Sequence, residues 1–587
     1  MRNVKAMMAG IAAILAITAG AQAETSTVVA VPAEEAKSAP PAAIETGAPP
    51  EVMAPLSPTP PQASGLRQAL ERLAAGATDR EAEERVAIAA FYDARQGAPV
   101  WITDTGLTAK GEALVATLAA AGDYGLDPAD FALPDSRVQF PLTAEAASNA
   151  EATFMLAAMK YARFARGGRI MHPAQDLSSY LDRGPQLIEP KLVLAAFADS
   201  TDIGATLRGF HPQHPQFEKL RQVYLRLRGD PKGGKHGPRP LSADAKRVLA
   251  NMEQWRWMPS DMGETYVWNN IPEFMQRVVH DGQVVRFEKI VAGLINKQTP
   301  IFSRPLKTIV FRPKWKVPES IKVREVWPSL LRGGGVMAQF GLQIETKDGQ
   351  PVPIHSVNWA TADIRNYEVI QPPGPHSILG VLKFRFPNQH TVFMHDTQDK
   401  HLFAASQRTY SHGCMRVKNP VQLAQILLGY DKGMDPAAVA ELTKTGPLDN
   451  EVPLDHKIPV HITYFTAMVA DDGSLKTFRD VYGHEKRIGL ALEGRWSEIE
   501  KGRDHLAPVE PDMAEVTRAQ TQVARTRLDE EPVGGIGMGG ARYGSNTVAS
   551  YGAAAVTPPG AARRGAALQP KPQKSFDLLG AVFGGGF

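Results

Sequence analysis

Cys414 is the only cysteine in a chain of 587 residues, and it stands in the run Tyr410-Ser411-His412-Gly413-Cys414-Met415-Arg416-Val417. A thiol without a possible intramolecular disulfide partner either packs as a small hydrophobe or reacts. No apolar period places Cys414 on a core face, so a nucleophile is the better reading. Two histidines could serve it as base. His412 is close in sequence, while His395 ends the apolar β-type run Thr391-Val392-Phe393-Met394-His395, nineteen positions upstream. A strand end holds a side chain rigidly yet lets it reach the surface, which favours His395. An imidazole in hydrogen-bond reach takes the thiol proton and, as imidazolium, stabilises the attacking thiolate. Gly413 allows close approach of substrate, so the amides of Gly413 and Cys414 are candidate oxyanion donors. Arg416 can hold a substrate carboxylate bidentately. The rival is a zinc site built from His395, His401, His412 and Cys414, but a His-x-Cys pair with no second cysteine pair matches none of the common structural zinc spacings.

The elements that must position these groups begin at about Pro259, where the texture turns to short β-type runs. Tyr266 to Ile271, Met275 to Val279 and Val284 to Phe287 read as strands, with Asp281-Gly282 as a hairpin turn. Lys289 to Leu294, Lys307 to Phe311 and Leu379 to Phe384 extend the sheet. The polar, mixed segment from Pro318 to about Tyr367 suits a mobile insertion over the site or an ordinary surface excursion. Gln371-Pro372-Pro373-Gly374-Pro375 is a stiff turn. Behind Cys414 a helix is expected with Asn419 as N-cap, Pro420 at its first position, Leu423, Ile426 and Leu427 buried, and Gly429 as its stop.

Upstream, Leu66 to about Phe131 and Ala146 to Arg166 carry helical periodicity. Arg163, Arg166 and Arg169 could meet a polyanion or form a solvated cationic helix end. The Gly- and Pro-rich loop Arg226 to Arg239 marks a domain boundary. It is followed by a helix capped by Ser242, which leads into Trp255 and Trp257, better read as a domain seam than as ligand-stacking rings.

Length requires more than one domain. A net charge of +3 with 43% hydrophobic and 22% charged residues describes a globular protein and gives no ground for a nucleic-acid partner. Residues 1–23 read as a secretory signal: Arg2 and Lys5, then an apolar run from Met7 to Ala19, then Ala21-Gln22-Ala23. A membrane anchor is the competing reading, although the run is short for a span. Pro- and Ala-rich residues 24–64 read as a disordered linker, and residues 504–587 as a disordered Gly/Ala/Pro-rich tail. The expected fold is multidomain α+β: a helical scaffold at 65–258 and a mainly-β catalytic domain at 259–490 with an insertion at about 319–368.

The segment SHGCMRV, with the histidine of FMHDT before it, resembles the signature of the L,D-transpeptidases of the YkuD type. Similarity to their large periplasmic subgroup extends through NMEQWRWMP, FRPKWKVPESI, QPPGPHSILGVLKFRFPN and PVHITYFTA, and through FYDARQGAPVW and GDYGLDPADF in the helical region. The resemblance implies Cys414 as nucleophile and His395 as base, oriented by the backbone carbonyl of Asp396. It places His412 and Gly413 at the oxyanion and substrate pocket, makes Ser411, Arg416 and Gln371 substrate-binding, and turns the 319–368 insertion into a lid. The peptidoglycan-binding module of larger members looks absent or much reduced.

The implied reaction needs no cofactor and no metal. Cys414 attacks a tetrapeptide stem of peptidoglycan after its third residue, D-alanine leaves, and an amine of a neighbouring stem resolves the thioester into a 3-3 crosslink. Resolution by an outer-membrane protein, by a free D-amino acid or by water is the alternative, and a wall-binding structural protein is the non-enzymatic one. Carbapenem-type β-lactams are expected to acylate Cys414, and the location implied is the periplasm.

Overall fold

The structure is a computed structural model that describes residues 61–521 except 104, 132, 134–141, 230–239, 512, 515 and 519. The expected signal segment, most of the linker, most of the basic loop and the tail beyond 521 lie outside the described residues.

The helical region starts earlier than expected. Helix Pro61–Arg72 takes in the last four residues assigned to the linker. Helix Asp79–Ala94 begins at Thr78, whose side chain accepts from the Glu81 amide while Glu81 reaches back to the Thr78 amide, a reciprocal cap that satisfies two end donors. The long helix Ala144–Gly167 packs Phe154, Met155, Ala158, Tyr161 and Ala162 into the scaffold core. Its arginines correct the solvated-face expectation. Arg163 pairs with Glu81 and Glu84, Arg166 donates to the carbonyls of Arg256 and Met258, and Arg169 pairs with Asp130. Arg163 and Arg166 are buried, because each finds internal acceptors that offset its desolvation.

Helix Ala243–Arg256 starts at Ser242, which caps Ala245 N as expected, and its buried Glu253 accepts from the amides of Arg169 and Ile170. Trp255 stacks on Phe465 at 4.5 Å and on His214 at 4.3 Å, and both Trp255 and Trp257 are buried. They pack the junction between helices and sheet.

The strands that follow are β1 (Thr265–Asn270), β2 (Met275–His280), β3 (Gln283–Gly293), β4 (Ser303–Phe311), β5 (Trp315–Lys316), β6 (Gln343–Thr346), β7 (Pro351–Val352), β8 (Tyr367–Gln371), β9 (Leu382–Arg385), β10 (Met394–His395), β11 (Thr409–Ser411), β12 (Met415–Val417) and β13 (Asn450–Thr463). Asp281 and Gly282 both have positive φ, 48° and 73°, the backbone of a two-residue hairpin turn. The two runs expected around Phe287 and Ile290 form the single strand β3. The main sheet has the order β11-β3-β12-β10-β9-β4-β13-β1-β2, and β2 pairs again with β3, so the sheet closes on itself. Val267, Ile290, Ile309, Phe384, Met394, Met415 and Ile462 fill its core.

Helix Pro420–Lys432 seals one side with Leu423 and Leu427. Two expectations about its ends fail. Asn419 sits in the left-handed region at φ 50° without capping, because its amide is drawn to Glu288 at 2.7 Å. The helix runs past Gly429 and stops at Gly433.

The segment expected as a mobile or surface insertion is folded around its own core. Short helices, a π-helical turn at Lys322–Val326 and the sheet β5-β8-β6-β7 enclose Val323, Val326, Leu330, Met337, Ile344, Trp359 and Val369. The apolar residues are dispersed among polar ones, which hides this core from a window average. Disorder does not begin at 504 either: Arg365 donates to the carbonyl of Val509, and Val509 and Val516 pack on the same core.

Candidate active site

β10 and β12 run parallel, with Met394 opposite Met415 and His395 opposite Arg416. Both methionines are fully buried, so strand alternation turns Phe393, His395, Cys414 and Arg416 to the other face. That face is the floor of a cleft of about 1170 Å³, lined also by Ser411, His412, Gly413 and Lys383. The insertion lines it with Ile321, Arg324 and Glu325, next to Trp315 of β5, and Tyr180 and a strap at 501–509 line it as well. His390 and His505 tie that strap down: His505 bonds His390 at 2.7 Å and Ser179 at 2.8 Å, and His390 bonds Asp182 at 2.9 Å.

His395 Nδ1 bonds the backbone carbonyl of Asp396 at 2.5 Å. A carbonyl only accepts, so Nδ1 carries the ring proton and Nε2 keeps its lone pair. The Asp396 carboxylate is occupied elsewhere, by Lys400 and by the amide of Val381. Burial, helped by the charge of Arg416, pushes His395 down to about 3. Cys414 keeps part of its surface toward the cleft, yet burial pushes its thiol up to about 11 against the Phe393 amide and the charges of Lys383 and Arg416. Both shifts, driven by burial, favour neutral thiol and neutral imidazole over a resting thiolate–imidazolium pair.

The turn that carries the thiol is held from below. Gly413 has φ 106°, and a Cβ there would come within 3.2 Å of the Gln298 carbonyl, so glycine serves both conformation and space. Thr299 Oγ1 donates to the Gly413 carbonyl at 2.8 Å, Gly293 N to Thr299 Oγ1 at 2.9 Å, and Tyr482 OH to the Gly293 carbonyl at 2.6 Å.

Several expected roles change. Ser411 is buried, donates to the Cys414 carbonyl at 2.5 Å and accepts from Gly413 N at 3.2 Å. It braces the turn, and it takes the Gly413 amide that was expected as an oxyanion donor. Gln371 is not at the cleft. Its side-chain amide donates to the carbonyls of Phe340 and His376 and accepts from Ile378 N, so both its side-chain polar atoms are spent on backbone, closing the loop that follows β8 and tying it to Phe340. Arg416 does line the cleft, but it is buried and donates to Asp399 Oδ2 at 2.8 Å, so a substrate carboxylate would have to share it. His412 lines the cleft with its Nε2 at 2.9 Å from Glu325 and in contact with Lys297. The four histidine and cysteine residues of the zinc alternative do not converge: among the described residues the ligand atoms that gather are those of Glu264, His280 and Asp281.

Sequence reasoning missed Lys383, Asp399, Lys297 and Glu325. Lys383 had a signal. In Leu382-Lys383-Phe384 the apolar neighbours are fully buried, so Lys383 must face the other way, and it stands directly opposite His395.

Fold and site thus bring a cysteine and a histidine, residue types suited to acyl transfer, to one cleft on a closed β-sheet beside a folded insertion. Residues 264–447 match the YkuD family, the L,D-transpeptidase catalytic domain, and residues 86–223 match the scaffold domain family. The YkuD match spans the strand-rich region that carries His395 and Cys414. It is similar to a Haemophilus influenzae protein named "Putative L,D-transpeptidase", 27% identical over 260 residues, which are 44% of this chain and 51% of the relative. The chain thus spans about half the length of that curated relative. Among solved structures, an L,D-transpeptidase from Mycobacterium smegmatis is 14% identical, covering 34% of this chain and 58% of its own, with a TM-score of 0.16. A mutant of the Enterococcus faecium L,D-transpeptidase is 12% identical, covering 42% of this chain and 82% of its own, with a TM-score of 0.14.

Proposed function

We propose that the protein is a periplasmic L,D-transpeptidase that forms 3-3 crosslinks in peptidoglycan, with Cys414 as nucleophile and His395 as general base. One observation carries the reading: His395 and Cys414 face one cleft from neighbouring parallel strands, and the Asp396 carbonyl fixes the ring so that Nε2 is the basic nitrogen.

The reaction runs in two halves. As Cys414 Sγ attacks the carbonyl of the third stem residue, the thiol proton passes to His395 Nε2, so a buried charge pair is never required at rest. The backbone donor left at the turn for the oxyanion is the Cys414 amide, since that of Gly413 is taken by Ser411. His395 returns its proton to the nitrogen of the departing D-alanine as the C–N bond breaks, leaving a thioester. An amine of a second stem then attacks the thioester, gives a proton to Nε2 and expels the Cys414 sulfur, which is reprotonated. The cleaved amide supplies the free energy, so no nucleotide is consumed.

The cleft is rich in cations, among them Lys383, Arg385, Arg324 and Lys316, which suits the carboxylates of peptide stems. Carbapenem-type β-lactams fit the same attack, since a strained amide offers its carbonyl to Cys414. The test is mass spectrometry of muropeptides after incubation of purified protein with tetrapeptide stems. Dimers joined 3-3 with loss of D-alanine are expected from wild type and none from Cys414→Ala. Full activity in Cys414→Ala would remove the mechanism, whereas tripeptides alone would move the acceptor to water.

A further inference from the structure

Glu325 is the point where the insertion touches the nucleophile turn. It lies in the π-helical turn Lys322–Val326, a backbone form that is rare and concentrates at functional positions. Glu325 Oε1 stands 2.9 Å from His412 Nε2 and 2.9 Å from Lys297 Nζ, and Lys297 Nζ itself contacts His412 Nε2. Three separate elements meet in this contact: the insertion, the turn after β3 and the loop of Cys414. The carboxylate and the imidazole are largely buried, with side chains 10% and 13% exposed, so the attraction is poorly screened. Burial pushes the Glu325 carboxyl up, but the hydrogen bond and charge of His412, with the charge of Lys297, outweigh it and leave it below its ordinary value.

Among the described residues His412 Nδ1 is buried without a hydrogen-bond partner, so the ring's polar contacts are made through Nε2. The turn that supplies Lys297 also supplies Thr299, which holds the Gly413 carbonyl. His412, through Glu325 and Lys297, and Gly413, through Thr299, are thus tied to the same short turn.

We propose that Glu325 is a positioning residue for the nucleophile turn, accepting from His412 Nε2–H and itself held by Lys297 Nζ, so that docking of the insertion and alignment of Cys414 are one event. This rests on the acyl-transfer reading above. The clamp acts through His412 on a loop whose placement decides the attack distance, and a displacement near 1 Å can cost about 100-fold in rate.

The experiment compares wild type, Glu325→Ala and Glu325→Gln in three measurements: the ¹⁵N shifts of the His412 ring, the first-order acylation rate with a carbapenem at saturating concentration, and alkylation of Cys414 by iodoacetamide. Expected for Glu325→Ala are altered His412 nitrogen shifts and acylation slower by about 10- to 100-fold, with alkylation within about twofold of wild type, since a small electrophile needs no aligned turn. Glu325→Gln keeps an acceptor for Nε2–H and should recover part of the loss; it carries the test should the alanine variant fold poorly. Unchanged His412 shifts would overturn the clamp, as would changed shifts with an unchanged acylation rate. A rate loss shared equally by alkylation would also overturn it, since the turn would then have merely come apart. Failure of the wild type to acylate would instead count against the preceding reading, and the clamp would then be decided by the ring shifts alone.

Discussion

Asp396 serves His395 through its backbone and not through its side chain: the carbonyl takes the Nδ1–H at 2.5 Å, while the carboxylate is bound by Lys400 and by the Val381 amide at 3.1 Å. A carbonyl is supplied by any residue at this position, which separates the site from triads built on a carboxylate.

Asp396→Asn should therefore keep the acylation rate within about threefold of wild type, where loss of an orienting carboxylate in a true triad costs on the order of 10⁴. The variant should lose stability instead, because the buried carboxylate that holds Lys400 and Val381 N is replaced by a neutral amide. Thermal melting and acylation kinetics on the same sample check both; a collapse of the rate without a change in melting would contradict the backbone assignment.

The pKa pattern predicts how the thiol reacts in the free enzyme. With the thiol near 11 and the imidazole near 3, the thiolate is scarce at neutral pH and grows tenfold with each pH unit. Alkylation of Cys414 by iodoacetamide should rise steadily from pH 7 to pH 10 with no plateau near neutrality. A plateau beginning at pH 6 to 7 would mean that a thiolate–imidazolium pair is already formed at rest.

Gln371 offers a case in which the family signature and the structure part. Gln371→Ala removes three hydrogen bonds, to Phe340, His376 and Ile378, each worth about 0.5 to 1.5 kcal/mol net. The melting temperature should fall while the apparent KM for a tetrapeptide stem stays within about twofold. A large KM increase with unchanged melting would restore the substrate-binding role.

What was legible in the sequence follows from range. His395 and Cys414 could be read because each sits in a local pattern, an apolar strand run and a single thiol in a glycine turn. The hairpin at Asp281-Gly282 and the cap at Ser242 are local in the same way. Asn419 misled because its side chain answers to Glu288, 131 positions away, and no local rule sees that competitor. Glu325 and Lys297 were invisible for the same reason: they are 28 residues apart, and Lys297 lies 115 positions from the histidine they share. The core of the insertion escaped because it is assembled from widely spaced residues such as Trp315, Val326 and Val369, none of which forms an apolar run.

The buried histidines predict acid sensitivity of the fold. His395 and His484 are pushed down to about 3 and His461 to about 4, in each case mainly by burial, and His211 well below its ordinary value. His484 has no partner for either ring nitrogen and lies against the rings of Tyr464 and Tyr482, so protonating it in place would leave a bare buried cation. The unfolded chain binds protons at these rings near pH 6.5, whereas the folded chain refuses them until far lower. The stability these rings contribute is therefore fully present above about pH 7 and is lost as pH drops from about 6.5 toward 4. Each such ring contributes a slope of up to about 1.4 kcal/mol per pH unit within that window. Denaturant unfolding at pH 7.5, 6.0 and 5.0 should show midpoints that fall progressively, and His484→Gln should flatten part of the dependence. Equal midpoints at pH 7.5 and 5.0 would show that these rings take up protons in the folded state as readily as in the unfolded one.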